Sequence, residues 1–393
     1  MPRILIVGAG IAGDTLAVSL DRAGWHVVVV DIAPALRSGG QTVDLRGTST
    51  EVLERLGLLD QCRALLIEQR GIAWVDTSGA VLAAMPVEAF GGAGFVSSDE
   101  LLRTDLARVI HAAGGDGIEY RWNDTVESID DNGTSVHVTF RDNSPEEFDL
   151  VVGADGAHSR TRSIVFGPED TYRKPLGLAH AWFTLTETSS TPPLDGWFLV
   201  HNAPGSRAVE ARPGHPGTQE IGFTFAATSM PPRRDRKAQQ ELVRQNFSSV
   251  GWRTDELLDA MPTATDFAID TFDQIQMDTW HRGRVILLGD SAWCASPLSG
   301  LGTALALRGA ESLAGELVRE ASHAAPVWSN AFRRFETGMR PTATAAAKLL
   351  PGRVRSYAPR TSWGIRVVAR IMRVVQNPLL DRLTTRIGSG RGH

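Results

Sequence analysis

Short apolar runs, separated by segments with helical spacing of apolar positions, dominate the first part of the chain. Residues 4–7 and 26–30 are almost entirely apolar, a pattern typical of strands buried on both faces of a parallel sheet. Residues 15–22, between them, predict a helix. A further apolar run at 285–288 precedes a predicted long helix over 302–321. We therefore predict an α/β framework built on a parallel sheet.

A different pattern begins near residue 172, where short strand-like segments lie between Pro- and Gly-rich turns. In residues 220–226 every second residue is apolar, which predicts a strand with one apolar face. Two earlier segments, 72–75 and 80–84, predict a β-hairpin. We interpret the later segments as an antiparallel sheet inserted into the α/β framework.

Two segments have the amphipathic pattern of helices. Residues 97–113 include Ser98 as a helix cap, followed by Asp99 and Glu100 in the first turn. Residues 363–375 combine near-helical spacing of apolar residues with several arginines. We expect this basic helix to pack across the protein with a solvated basic face; the alternative is that it lies on an anionic membrane.

The composition narrows the classes of function. The chain has 393 residues and a net charge of −5, which argues against general binding of nucleic acids. Cys62 and Cys294 are the only cysteines, too few for a disulfide framework or a zinc cluster. No apolar segment approaches the roughly 18 residues of a membrane-spanning helix, and the first residues lead straight into a strand. We therefore expect a cytoplasmic protein with no membrane span and no metal site.

The loop after the first strand reads Gly8-Ala9-Gly10-Ile11-Ala12-Gly13. In this pattern Gly8 allows a tight turn, Gly10 lets a pyrophosphate approach the backbone, and Gly13 lets the helix pack closely on its strand. The helix N-terminus supplies amide donors for the phosphates. Asp31 ends the second strand, where an acidic side chain can accept hydrogen bonds from a ribose. The unit predicts a bound dinucleotide, either FAD or a nicotinamide cofactor.

Two further motifs follow buried strands. The first begins at Asp155, has the form D-G-x-x-S-x-x-R, and ends at Arg162. The second reads Gly289-Asp290-Ser291-Ala292, followed by Pro297 and by Gly300-Leu301-Gly302. With the glycine-rich loop, these three blocks in this order resemble the class A flavoprotein monooxygenases of the para-hydroxybenzoate hydroxylase fold, over about residues 3–345.

Within that family, the length and the segment 39–46 look most like hydroxylases of tetracyclines and related aromatic polyketides. The resemblance implies a Rossmann-like FAD-binding domain, an inserted antiparallel-sheet substrate domain and a C-terminal helix. We expect the FAD-binding domain at 1–71, 97–171 and 268–345, the substrate domain at 72–96 and 172–267, and a basic helical segment at 346–393.

The resemblance also implies residues that hold the cofactor. Asp290 follows an apolar strand, where its carboxylate can accept hydrogen bonds from ribityl hydroxyls. Arg103 matches an arginine that contacts the flavin or its pyrophosphate. Asp155 supports both FAD and the transient approach of NAD(P)H, whereas Arg162 fixes its own loop.

The residues nearest the flavin ring are predicted in the same way. Gly300, Leu301 and Gly302 open a helix whose positive end points to the flavin pyrimidine. Pro297 and the glycines leave space beside the ring, and Arg46 lies near the flavin edge. We treat Arg46 and Pro297 as candidate catalytic residues.

Large apolar side chains are the candidate walls of a substrate pocket: Phe198, Phe223, Phe225, Met230 and Trp293. In this hypothesis the strand that contains Phe223 roofs the substrate. Trp293 and Leu301 stand where the family often has His and Gln.

His158, His180 and His201 have neither metal-ligand spacing nor a partner acid in the sequence. We interpret each of them as an ordinary polar residue. The flavin performs the difficult chemistry in this family, so no catalytic triad or pair of carboxylates is required.

The implied activity is an FAD-dependent, NAD(P)H-consuming monooxygenation. NADPH or NADH reduces the flavin, O2 adds at flavin C4a, and the hydroperoxide hydroxylates an aromatic or polyketide-type small molecule. The protein positions the substrate and excludes water. We expect a monomer or weak dimer that binds this substrate and O2 and no nucleic acid. A flavin oxidase or dehydrogenase on the same fold, and a non-catalytic flavoprotein that binds an aromatic ligand, remain alternatives.

Overall fold

The computed structural model describes residues 2–37, 39, 41–89, 96–227 and 229–375. Parts of three predicted segments, at residue 40, at 90–95 and at 376–393, lie outside the described residues. The strands are β1 (Arg3–Val7), β2 (His26–Asp31), β3 (Thr42–Asp44), β4 (Gly71–Val75), β5 (Val81–Pro86), β6 (Glu100–Leu102), β7 (Ile118–Trp122), β8 (Val126–Asp131), β9 (Val136–Phe140), β10 (Glu146–Phe148), β11 (Leu150–Gly153), β12 (Arg173–Thr186), β13 (Trp197–Ala203), β14 (Arg207–Pro213), β15 (Thr218–Ala226), β16 (Ala268–Ile275), β17 (His281–Arg282) and β18 (Val285–Leu287).

The helices follow in the same numbering. They are α1 (Ile11–Arg22), α2 (Thr48–Arg55), α3 (Leu59–Arg63), α4 (Arg103–Ala112), α5 (Arg160–Val165), α6 (Arg236–Phe247), α7 (Thr254–Ala260), α8 (Asp290–Trp293), α9 (Gly302–Ala321), α10 (Trp328–Ala347), α11 (Arg353–Tyr357) and α12 (Ser362–Val375).

A six-stranded sheet with the order β17-β18-β11-β1-β2-β7 forms the framework. Strand β1 pairs in parallel with both β2 and β11. Ile4 and Ile6 point to a core shared with α1, α9 and α10, whereas Leu5 and Val7 pack against the three-stranded sheet β8–β10. Both faces of the central strands are therefore buried, which explains why their sequences are continuously apolar.

A seven-stranded sheet with the order β16-β12-β15-β14-β13-β4-β5 lies beside this framework. The predicted hairpin is present, because β4 pairs with β5 in antiparallel and with β13 in parallel. Strand β16, which we had placed at the start of the third FAD-binding segment, pairs with β12 instead and is the outer strand of this sheet. One face of the sheet carries an apolar core shared with α6 and α7.

The predicted helix at 97–113 begins later than expected. Residues Glu100–Leu102 form β6, which pairs with β3, and α4 begins only at Arg103. Leu101 and Leu102 are both buried, and Glu100 forms an ion pair with Arg212. Pairing with a distant strand thus overrides the local signals for a helix start at Ser98.

The C-terminal helix α12 packs against β5 and β13. Ala369 is buried on its inner side, and Met372 contacts the apolar cluster that contains Ile72 and Met85. Packing across the protein was the expectation for this segment, and it is confirmed. Within the described ranges, no helix has the length and apolar character needed to cross a membrane.

Candidate active site

The three glycines of the first loop have different surroundings. Gly8 has a φ of +109°, and a Cβ atom there would lie 2.5 Å from the carbonyl oxygen of Ala154. A Cβ atom on Gly13 would lie 1.9 Å from the carbonyl oxygen of Gly8. A Cβ atom on Gly10 would meet no protein atom within 4 Å. Gly8 and Gly13 therefore permit tight packing of the protein itself, whereas Gly10 borders open space at the N-terminus of α1, as a pyrophosphate requires.

Asp31, at the end of β2, stabilises this loop through hydrogen bonds. Its Oδ2 accepts a hydrogen bond from the Ala9 amide at 2.8 Å, and its Oδ1 accepts one from the Ala33 amide at 2.8 Å. Each carboxylate oxygen has a second lone pair. Asp31 can therefore hold the loop and still accept a hydrogen bond from a ribose.

The loop after β11 is held by Asp155 and Arg162. Asp155 accepts hydrogen bonds from Ser159 and from the Thr161 amide, and burial raises the pKa of its carboxyl. The buried Arg162 donates to the carbonyl oxygens of Ala157 at 2.6 Å and Ser291 at 3.0 Å. Arg162 thus fixes its own loop, as the resemblance implied, and also joins the second motif to the third.

Asp290 and Arg103 come from different motifs and lie close enough to interact. Asp290 is the first residue of α8, and Arg103 is the first residue of α4. Burial raises the pKa of Asp290, and the charge of Arg103 opposes that rise. Both side chains are exposed to solvent although protein surrounds them closely, so they line an open cleft.

The loop between α8 and α9 follows Asp290 closely in the chain. Ser296 and Gly300 have φ values of +77° and +66°, which turn the chain sharply around Pro297. Pro297 and Leu301 are exposed, and α9 begins at Gly302. This turn directs the N-terminus of α9, the positive end of its dipole, toward a ligand in the cleft.

Arg46 lies next to β3 and forms an ion pair with Asp44. Its side chain is 39% exposed. Strand β6 pairs antiparallel with β3 and leads directly into Arg103, so Arg46 and Arg103 follow opposite ends of this two-stranded ribbon.

Three of the predicted pocket residues lie on the face of the large sheet that α6 and α7 cover. Phe223 and Phe225 point to the core beneath α6, where their rings lie 4.9 and 5.9 Å from that of Phe247. Met230 packs on the same core. The prediction that these side chains line the substrate pocket is therefore wrong, since the alternating pattern identifies an apolar face without revealing what covers it.

Trp293 is a packing residue as well. Its ring lies 4.5 Å from that of Trp280 and 5.9 Å from that of Phe335, inside the core of the framework. Its ring neighbours belong to that core, and it is 4% exposed, so Trp293 packs the framework. Phe198 does lie on the other face of the large sheet, with the Arg212 guanidinium 4.4 Å from its ring centre.

The opposite face of the large sheet, which we call the polar face, carries functional groups that the sequence analysis missed. The Arg212 guanidinium contacts Glu100 at 2.8 Å, and Tyr357 donates to Glu210 at 2.7 Å. His180 and Thr224 share a hydrogen bond of 2.7 Å. The signal was present in β15, where Glu220, Gly222 and Thr224 alternate with the apolar residues.

Burial changes the protonation of two groups on the polar face. Burial and the charge of Arg212 lower the pKa of His180 to about 3, so its ring is neutral. Burial raises the pKa of Glu220 to about 7; a hydrogen bond from Thr184 opposes this rise and the nearby Asp266 favours it. Glu220 is therefore half-protonated near neutral pH and can act as a hydrogen-bond donor.

The polar face is connected to the motif loops. Leu298, next to Pro297, packs in one cluster with Leu178 and Phe272 of the large sheet. The ion pair of Arg212 with Glu100 connects the face to the ribbon that leads into Arg103. The polar face, the proline turn and the cleft therefore adjoin one another.

The interpretation of His158 as a residue without partner acids is wrong. Its Nδ1 lies 2.9 Å from Glu169 and its Nε2 lies 3.0 Å from Asp270. These acids are far apart in the sequence and meet only in the folded chain. By contrast, His180 and His201 bond to a threonine hydroxyl and a backbone carbonyl.

Known proteins resemble this chain along most of its length. A family model described as an FAD binding domain matches residues 2–332. The chain is 39% identical over 319 residues to an uncharacterized protein of Mycobacterium tuberculosis, across 81% of this chain and 85% of that protein. It is 33% identical over 397 residues to an FAD-dependent monooxygenase of Sarocladium schorii, across 95% and 92% of the two chains.

The solved structure of tetracycline destructase Tet(51) superposes with a TM-score of 0.79 at 30% identity, over 96% of this chain and 97% of that chain. These matches confirm the resemblance and the fold class that the three ordered motifs predicted. The chain belongs to the family of FAD-dependent monooxygenases.

Proposed function

We propose that this monooxygenase uses NADPH or NADH to insert one oxygen atom of O2 into a planar aromatic or polyketide-type substrate that lies between the cleft and the polar face. The observation that carries the proposal is the junction of the exposed turn at Pro297 with the polar face of the large sheet. The fold likeness to a tetracycline destructase supports a multi-ring substrate.

The residues of the cleft fit FAD. The open space at Gly10 and the N-terminus of α1 would receive the pyrophosphate, with Asp31 at the ribose. Arg103 and Asp290 would bind the remaining part of the linker that joins the flavin ring of the cofactor to its adenosine. Bound FAD would supply the redox chemistry that activates O2.

The polar face would orient the substrate. Neutral His180 and protonated Glu220 can hydrogen-bond the hydroxyl and carbonyl groups of a polyketide, and Arg212 stabilises a substrate oxygen that carries negative charge. We infer that Arg46 and Pro297 bound the reacting ring on the other side. Closing this space excludes water from the reaction.

The test is substrate-stimulated NADPH or NADH oxidation across a panel of aromatic polyketides, run with oxygen-18-labelled O2. We expect one substrate class to accelerate nicotinamide oxidation and to gain one labelled oxygen atom. Product oxygen derived from water, or no stimulation by any compound, would favour an oxidase or a binding protein instead. Arg212→Gln should raise the KM for the substrate more than it changes the KM for the nicotinamide, whereas Arg63→Gln, at an exposed position on α3, should change neither.

A further inference from the structure

Helix α12 has a second apolar stripe on the side that faces away from the protein. Its inner side, with Ala369 and Met372, packs on the large sheet. Trp363, Val367 and Ile371 recur at intervals of four residues and lie on the outer side. Trp363 is 71% exposed and Ile371 is 52% exposed. A soluble surface helix normally has a polar outer side, so this stripe requires an explanation.

Arginines border this stripe along the whole helix. Arg366 and Arg370 are exposed and lie one helical turn apart, next to Trp363 and Ile371. Arg373 is anchored by a hydrogen bond to the backbone of Leu82. The sequence contains no Asp or Glu between Glu336 and Asp381, although the whole chain has a net charge of −5.

The strand beneath the helix does not supply the missing negative charge. Strand β5 reads Val-Leu-Ala-Ala-Met-Pro and has no acidic residue. The outer side of α12 therefore combines apolar and cationic groups with no acid on either element.

We propose that the outer side of α12 binds an anionic lipid surface. Trp363 and Ile371 enter the boundary between headgroups and acyl chains, and Arg366 and Arg370 contact lipid phosphates. Parallel apolar and basic stripes on one helix are the arrangement of helices that lie flat in a membrane interface. Tryptophan favours this boundary because its ring is apolar and its N–H is polar. A protein partner would need a surface whose shape and charge match both the apolar and the basic stripe along the full helix. A lipid surface matches both stripes without any specific shape.

Sedimentation of the purified, flavin-loaded protein with vesicles tests the proposal. We expect binding to vesicles of equal parts phosphatidylcholine and phosphatidylglycerol, no binding to phosphatidylcholine alone, and release at high salt. Arg366→Gln with Arg370→Gln should weaken binding by about fivefold per arginine. Trp363→Ser should weaken it further without a change in the salt dependence.

Arg63→Gln with Arg319→Gln is the matched control, because it removes two exposed arginines on α3 and α9 and should leave vesicle binding unchanged. Absence of wild-type binding to the anionic vesicles, or equal loss in the control, overturns the proposal. A wild-type dimer that Trp363→Ser converts to a monomer would show that a second copy of the chain covers the outer side of α12. That result would also overturn the proposal. Binding that appears only after truncation behind Val375 would show that the chain covers the stripe itself.

Discussion

The Nε2 atom of His158 lies 3.0 Å from an oxygen of Asp270, and this contact joins the loop after Asp155 to the outer strand of the large sheet. The Nδ1 atom of the same ring lies 2.9 Å from Glu169. Ionised carboxylates only accept hydrogen bonds, so both ring nitrogens carry protons and the imidazole is positively charged. Arg162 and Arg233 contact Glu169 and Asp270 in turn, which gives a chain of alternating charges between the two sheets.

His158 should make the stability of the protein depend on pH in the alkaline range. Burial opposes its charge, but the hydrogen bonds to Asp270 and Glu169 outweigh burial and raise its pKa to about 9 from an ordinary value of 6.5. The stabilisation is therefore complete below about pH 6.5 and is lost as the pH rises through about 9. We expect the unfolding temperature of FAD-saturated wild-type protein to decline over this range more than that of His158→Gln.

His281→Gln is the control for this prediction. It removes a similar contact, with Glu336 at 3.0 Å, on the edge strand β17 of the six-stranded sheet. It should retain the wild-type decline between pH 6.5 and 9. Parallel curves for wild type and His158→Gln would show that the charged bridge does not contribute to stability.

Gly10 and Gly13 should respond differently to an added side chain. Gly10 has φ −86° and ψ 179°, which valine adopts readily, and its Cβ would enter open space. Gly10→Val should therefore keep the fold and lose FAD, since the side chain would occupy the place of the pyrophosphate. Gly13→Ala should instead lose about 1–3 kcal/mol of unfolding free energy, because its Cβ collides with Gly8.

Flavin absorbance after gel filtration and urea unfolding separate the two effects. A yellow Gly10→Val protein with normal FAD content would mean that the cofactor lies elsewhere. A Gly13→Ala protein of normal stability would mean that the loop can move away from α1.

Asp290→Ala should weaken FAD binding about ten- to a hundredfold, because a hydrogen bond to a charged group contributes about 1.5–3 kcal/mol. The fold should be intact, since the side chain is exposed in the cleft. Quenching of FAD fluorescence on titration measures the dissociation constant. Asp60→Ala, at a fully exposed position on α3, is the control. An unchanged dissociation constant of FAD for Asp290→Ala would show that Asp290 has only a structural role in its turn.

The framework was predictable because its signals are local. Continuous apolar runs identified β1, β2 and β18, and the boundaries of α9 match the predicted helix at 302–321. Strand β6 was missed because its pairing with β3 joins residues more than fifty positions apart. The partners of His158 were missed for the same reason, as Asp270 is 112 residues away.

The pocket was mispredicted for a different physical reason. Alternation in β15 separates two faces but does not say which face meets another layer of the protein and which meets a ligand. We assigned the apolar face of this strand to the substrate pocket. The structure covers that face with α6 and α7 and leaves the polar face next to the proline turn.

Phe223→Ala and Phe198→Ala make the same chemical change on opposite faces of the large sheet. Phe223 is fully buried against Phe247, so its truncation should cost about 3–5 kcal/mol of unfolding free energy. It should not alter the amount of peroxide released per NADPH consumed by the folded enzyme, because it does not reach the polar face. Phe198 supports the Arg212 guanidinium on that face, so Phe198→Ala should raise the peroxide yield as the substrate loses its fixed position. Urea unfolding and a peroxide assay, run on both variants with a substrate that stimulates the wild type, decide the matter. A higher peroxide yield in Phe223→Ala with no change in Phe198→Ala would place the substrate on the apolar face after all.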